Sequence, residues 1–221
     1  MDNILQPLEQ SPLFRNIATE DYEKLLSIVG DGIKSYNRGD FIKIFGDPVE
    51  VMGIVLSGEI LIIKEDVFGN RVILNEIRPG QIFGESFVCG GSFVMKVSVQ
   101  AKEPSQVAFI SFGKMMGSKQ KFEAVSTLTQ NLIEILARKN IHLVERLEVA
   151  TKHSIREKVL SYISNLSQNT GSPVVESPLG REDLAGFLGV DRSSLTRELK
   201  RMKEDGLIDF EKNKFTIKEL Y

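Results

Sequence analysis

The hydrophobic and polar positions of this chain follow three rhythms in succession. From about residue 33 to 112, short apolar and β-branched runs (FIKIF, MGIVL, EILIIKE, RVILNEI, KVSVQA, QVAFISF) alternate with turn signals. The turns are Arg38-Gly39-Asp40, Gly46-Asp47-Pro48, Ser57-Gly58, Gly69-Asn70, Arg78-Pro79-Gly80 and Gly90-Gly91. Such runs predict strands, and their spacing of about ten residues predicts a small antiparallel barrel or roll. From 119 to 150 the turn residues vanish, with no Pro or Gly, and the apolar period becomes about 3.5. One long helix is expected there. Ile133, Asn140 and Leu147 fall at one heptad position, and Leu136, Leu143 and Ala150 at its partner. An apolar seam carrying one Asn is what a parallel two-stranded coiled coil uses to fix its register, so this helix is read as a dimer seam. A helix packed on its own domain with Asn140 at the edge is the alternative.

Shorter helices flank these regions. Ser11-Pro12 and Thr19-Glu20-Asp21 are helix starts within residues 10–32, combining a cap with acids in the first turn. Residues 152–167, containing HSIREKVLSYISNL, predict a further helix, and a loop with Gly171, Pro173 and Pro178 follows it. The C-terminal stretch GREDLAGFLGVDRSSLTRELKRMKEDGLIDFEKNKFTIKEL reads as helix, turn, helix and a hairpin turning at Lys212-Asn213.

That stretch carries the clearest chemistry. A helix-turn-helix needs a small residue on its first helix, a glycine for the positive φ of the turn, and an apolar residue packing back from the second helix. Ala185, Gly189 and Leu195 stand at those places, Leu184, Leu188 and Leu199 complete a shared core, and Asp191 is the expected N-cap of the second helix. The outward face then presents Arg192, Ser193, Ser194, Thr196, Arg197, Lys200 and Arg201. Arginine can read guanine O6 and N7 through two hydrogen bonds, and hydroxyls serve phosphates or bases, so the face suits the major groove of double-stranded DNA. Arg192, Ser193 and Arg197, near the helix start, are the expected base readers; Lys200, Arg201 and Lys203 are expected at phosphates or solvent. A merely solvated basic helix face is the competing reading.

Composition sets limits on this picture. The chain has 221 residues, enough for two modest domains, and a formal net charge of −2, so DNA contact has to come from a local basic face. One cysteine, Cys89, excludes an internal disulfide and a thiolate-rich metal site. The N-terminus MDNILQPLEQ lacks the pattern of a signal peptide, and the most apolar stretch, GIVLSGEILII, is broken by Ser57, Gly58 and Glu59, so a cytoplasmic protein with no membrane span is expected. No nucleophile–base–orienter set and no Walker-type loop is present, and an enzyme is not expected. Cys89 reads as a small apolar filler, with a redox or haem role the alternative. His142 and His153 read as surface residues.

RGDFIKIFGDPVEVMGIVLSGEILII, RPGQIFGE, VSVQA and LAGFLGVDRSSLTRELKRM together resemble the CRP/FNR family of bacterial transcription regulators over nearly the whole chain. The resemblance implies an α+β fold in three parts. Residues 1–118 would form a cyclic-nucleotide-binding-like effector domain, an antiparallel β-roll of the double-stranded β-helix, cupin-like jelly-roll kind. Residues 119–150 would be the dimerisation helix, and 151–221 a winged helix-turn-helix. It further implies a homodimer, an effector in the roll, a palindromic operator and contacts to RNA polymerase. The family's base-reading positions match Arg192, Ser193, Thr196 and Arg197; where the cyclic-AMP receptor branch has Glu, this chain has Ser193, which removes an acceptor for cytosine N4.

The segment GESFVCGGSFVMKVSVQA, residues 84–101, resembles the family's nucleotide cassette at both ends. Gly84-Glu85 match its start, and Val97-Ser98-Val99-Gln100-Ala101 its tail. The Arg-Ser pair that clamps the cyclic phosphate is replaced by Met95-Lys96. Lysine does not reproduce the guanidinium fork, and neighbouring strand residues face opposite ways. The positions that meet the base in the cyclic-AMP receptor fall near Leu143 and Val144, both apolar. The expected effector is therefore a small molecule other than cyclic AMP. Gly84, Glu85, Ser86, Phe87, Met95, Lys96, Leu143 and Val144 are the candidate pocket, and Phe83, Phe87, Phe93 and Met95 are expected to fill the roll, with the lining of an apolar pocket the alternative. The competing function is a cyclic-nucleotide-type or redox/haem sensory module acting on a protein partner.

Overall fold

The computed structural model describes residues 2–66, 68–118 and 122–218. The chain divides into two compact units, residues 1–136 and 137–221.

The first unit opens with α1 (Asp2–Glu9), two short 3-10 turns and α2 (Tyr22–Val29). Eight strands follow: β1 (Gly30–Tyr36), β2 (Phe41–Lys43), β3 (Val51–Ser57), β4 (Ile60–Glu65), β5 (Arg71–Ile77), β6 (Ile82–Phe83), β7 (Ser98–Ala101) and β8 (Ser105–Ser111), with α3 (Glu85–Cys89) between β6 and β7. They form two antiparallel four-stranded sheets, β1-β8-β3-β6 and β2-β7-β4-β5. Side chains alternate across a strand, and β3 and β8 use both faces. Val55, Val107 and Phe109 join Ile60, Ile77 and Val99 of the second sheet in a cluster between the sheets. Met52, Ile54, Leu56, Ala108 and Ile110 point the other way, into a second cluster with Leu13, Phe14, Leu25 and Val29. Burial on both faces is why MGIVL reads as an unbroken apolar run rather than an alternating one. The antiparallel roll and α+β class expected from the sequence are what the structure holds.

After α4 (Phe112–Gly117) comes the long helix α5 (Glu123–Ala150), 28 residues. The predicted start of this helix, 119–121, lies outside the described residues. Its first turns belong to the first unit, where Val125, Leu128 and Leu132 are buried in the helical cluster. Asn131 is buried too, and its amide donates to the Leu13 and Arg15 carbonyls at 2.9 and 2.7 Å.

The second unit contains the end of α5, then α6 (Ile155–Thr170), β9 (Val174–Glu176), α7 (Arg181–Leu188), α8 (Arg192–Glu204), β10 (Ile208–Glu211) and β11 (Lys214–Ile217). The helix expected over 152–167 starts three residues later because Ser154 and Glu157 form a reciprocal capping box. The hairpin turns at Lys212, at φ 51°, and gains a third strand the sequence reading did not include, in the order β10-β11-β9. Val149 of α5 is buried in this unit's own core, beside Val159, Ile163, Leu184 and Leu195.

Candidate DNA interface and effector cassette

The helix-turn-helix is assembled by the residues its spacing singles out. Leu184, Ala185, Leu188, Leu195, Leu199 and Met202 are buried together. Gly189 closes α7 at φ 62°, a region a Cβ disfavours, and Val190 N–H reaches the Ala185 carbonyl at 3.0 Å. Asp191 caps α8: its carboxylate accepts from Ser194 N–H at 3.0 Å and from the Ser193 hydroxyl. Those bonds, the Ser193 hydroxyl first, hold the Asp191 carboxyl below the ordinary carboxylate range.

The outward face of α8 sorts by what each side chain already touches. Arg192, Arg197 and Lys200 are exposed and, among the described residues, have no ion pair. The Thr196 hydroxyl donates back to the Arg192 carbonyl at 2.9 Å, and Ser193 is engaged at the cap, so two of the hydroxyls on this face are bonded locally. Ser194 is half-buried. Arg201 lies 3.9 Å from Glu198, and Lys203 pairs with Asp209 of the wing. The strongest unneutralised positive charge therefore sits on Arg192, Arg197 and Lys200. Arg181, which the sequence reading did not single out, ties the wing to α7: it donates to the Lys212 carbonyl at 2.8 Å and lies over Phe210 and Phe215.

The cassette in the roll keeps its frame. Gly84, at φ 81°, is the N-cap of α3, and the buried Glu85 accepts from the Ser86 hydroxyl at 3.2 Å. Ser86 is exposed and Phe87 half-buried. Met95 is 1% exposed and belongs to the cluster between the sheets, with Val49, Phe83, Val88 and Val99. Its backbone is clamped as well: Met95 N–H donates to Asp47 O, and Gly46 N–H to Met95 O, both at 2.9 Å. Lys96, one residue on, is exposed. Phe93 departs from the sequence expectation. It sits at φ 50° and is 56% exposed, because the turn after Gly91 swings it off the roll instead of into it. Leu143 and Val144 are exposed positions of α5 in the second unit. Of the seam positions, Ile133, Asn140, Leu143 and Leu147 are exposed, whereas Leu136 is half-buried against the helical cluster of the first unit.

Cys89, on α3, is half-buried, and burial first and the Glu85 charge second push its thiol up from the ordinary value. A cavity of about 340 Å³ opens elsewhere in the first unit, lined by Lys34, Tyr36, Ile42, Lys43, Glu50 and Phe109 and by no residue of the cassette. No helix among the described residues is long and apolar enough to cross a membrane.

A roll of nucleotide-binding type and a helix-turn-helix in one chain define a DNA-binding transcription regulator. The sequence matches the cyclic nucleotide-binding domain over residues 33–117 and the Crp-like helix-turn-helix domain over 157–220. The chain belongs to the CRP/FNR family of transcription regulators. It is 23% identical to the cAMP-activated global transcriptional regulator Vfr of Pseudomonas aeruginosa, covering 79% of this chain and 84% of Vfr. It is also 23% identical to the cyclic AMP receptor protein of Thermus thermophilus, covering 91% and 89%. In structure it resembles the Thermus thermophilus catabolite activator protein (TM-score 0.51, 21% identity, 94% and 93% covered). It also resembles the c-di-GMP responsive regulator CLP of Xanthomonas campestris (TM-score 0.52, 17% identity, 92% and 100% covered). Of these relatives, Vfr is by name a global transcriptional regulator.

Proposed function

We propose that the chain acts as a homodimer on a two-fold-symmetric operator, under the control of a roll effector other than cyclic AMP. Arg192, Arg197 and Lys200 supply the primary DNA contacts. Ser193, Ser194 and Thr196 shape the start of the reading helix and contribute hydroxyl contacts, Ser193 and Thr196 by exchanging their local bonds for DNA. The observation that carries the effector half is Met95. The position matching the family's phosphate clamp is a packed core residue, and the neighbouring cation, Lys96, lies at the surface. A cyclic phosphate entering this cassette would meet apolar side chains in place of a guanidinium fork. The exposed stripe Ile133, Leu143 and Leu147, with Asn140 in its register, supports the dimer. The raised Cys89 thiol argues against the redox-sensor alternative, since the reactive form of a sensor cysteine is the thiolate.

Protein presented with a random-sequence duplex library, both as purified and with a small-molecule extract of the expressing cells but without added cyclic AMP, is expected to select an inverted repeat with half-sites about one helical turn (~10 bp) apart. Titration calorimetry with cyclic AMP is expected to give no binding heat. Asymmetric selected sites, or saturable cyclic AMP binding, would reject the corresponding half of the proposal. Sedimentation is expected to give a dimer that Leu143→Asp with Leu147→Asp dissociates. Both positions are exposed within the single chain, so this pair tests the seam with less disturbance of the first unit's core than a change at Leu136.

A further inference from the structure

Among the acids of the reading helix, Glu198 and Asp205 stand on one flank, in places where acids are unfavourable. Glu198 follows Arg197 directly, between the buried Leu195 and Leu199 on one side and the DNA-facing residues on the other. Asp205 is the C-cap of α8, at the negative end of the helix dipole. Seven residues, about two helical turns, separate them, so they share one flank of α8. A single side chain from another helix spans both. Arg156 donates through Nε to Glu198 at 2.7 Å and through Nη2 to Asp205 at 2.6 Å. Arg156 is itself fixed in the first turn of α6 by the Ser154/Glu157 capping box. Arg156 and Glu198 are 36% and 17% exposed, so their pair is more shielded from solvent than Arg201–Glu198, whose arginine is 63% exposed, and than Lys203–Asp209.

We propose that Arg156 is a positioning residue for DNA binding. It tethers the reading helix at two points and screens Glu198 from the phosphates, without contacting DNA itself. The planar guanidinium suits the task because its separate N–H groups engage two carboxylates in different directions, which one ammonium does less well. The proposal rests on the reading that the exposed face of α8 engages DNA.

The test uses the full-length protein and an operator selected by the wild type. Arg156→Ala is expected to weaken operator binding about tenfold. The slope of log affinity against log salt is expected to stay unchanged, because no phosphate contact is lost. In a background of Glu198→Gln with Asp205→Asn, the same change is expected to cost less than about twofold. Arg156→Lys should recover part of the loss. Arg156→Gln, which keeps most of the stem, serves if the alanine variant melts early. Wild-type affinity in both the Ala and Gln variants would overturn the proposal. So would a salt slope lowered by about one with no relief in the Gln/Asn background, which would make Arg156 a phosphate ligand. A wild type that selects no operator, either as purified or with a small-molecule extract of the expressing cells, would overturn the DNA reading of α8 and this proposal with it, an outcome distinct from the other two.

Discussion

The cassette helix α3 and the reading helix α8 are built alike and used differently. Each follows a turn residue that fixes its start, Gly84 for one and Asp191 for the other, and each belongs to a motif matched by the family. In α8 the residues that carry chemistry project outward, and packing constrains only the inner stripe Leu195, Leu199 and Met202. In the cassette the position that would carry chemistry faces inward. There Met95 is governed by the same rules as Val88 and Val99 around it. A surface site can change its specificity one side chain at a time. An interior site can change its ligand only by changing its packing, so the replacement at position 95 alters both together.

The largest effect that would break this contrast is at Met95. Met95→Arg, placing a guanidinium in the apolar cluster, is expected to cost about 3–5 kcal/mol of stability without creating cyclic AMP binding. Because the chain has no tryptophan, urea unfolding is best followed by far-UV circular dichroism. A stable variant that takes up cyclic AMP would mean the cassette retains a usable cavity. Smaller losses are expected on the exposed side. Arg192→Ala and Arg197→Ala should each weaken operator binding by about 1–3 kcal/mol while leaving the unfolding midpoint near wild type. Unchanged binding in either variant would remove that arginine from the readers. The smallest effect is at the helix start. The Asp191 carboxyl is held below its unfolded value, so its capping contribution is complete above about pH 4 and is lost as pH falls through the lower folded value. Asp191→Asn is expected to flatten that part of the stability profile, measured by urea midpoints across pH; a profile identical to wild type would assign the acid sensitivity to other groups.

What could be read from the sequence follows the same division. The helix-turn-helix was legible down to Ala185, Gly189, Asp191 and Leu195, because local spacing and backbone requirements determine those residues. The strands were legible as runs, although FIKIF pairs only over Phe41–Lys43, where Gly46 and Asp47 turn the chain and bond to Met95. The loss of the phosphate fork was legible from Met95-Lys96, but the direction each side chain takes was not, since it depends on the bridge from Asp47 to Met95 across the roll. Phe93 looked like core by composition and lies outside it because its backbone adopts a positive φ that no local signal announced. β9 and the Arg156 tether were invisible for a related reason. A three-residue strand and an ion pair between residues 42 apart are properties of the folded neighbourhood, and neither leaves a periodic trace.

Cys89 has a practical consequence at the bench. It is the single thiol of the chain, half-buried beside a carboxylate that disfavours its reactive form. Alkylating reagents at neutral pH are therefore expected to modify it slowly. A cysteine introduced at an exposed position such as Phe45 is expected to label much faster, giving a nearly single-site fluorophore attachment without first removing the native residue. Comparable labelling rates for wild type and Phe45→Cys would show that the segment around Cys89 opens far more often than its packing suggests.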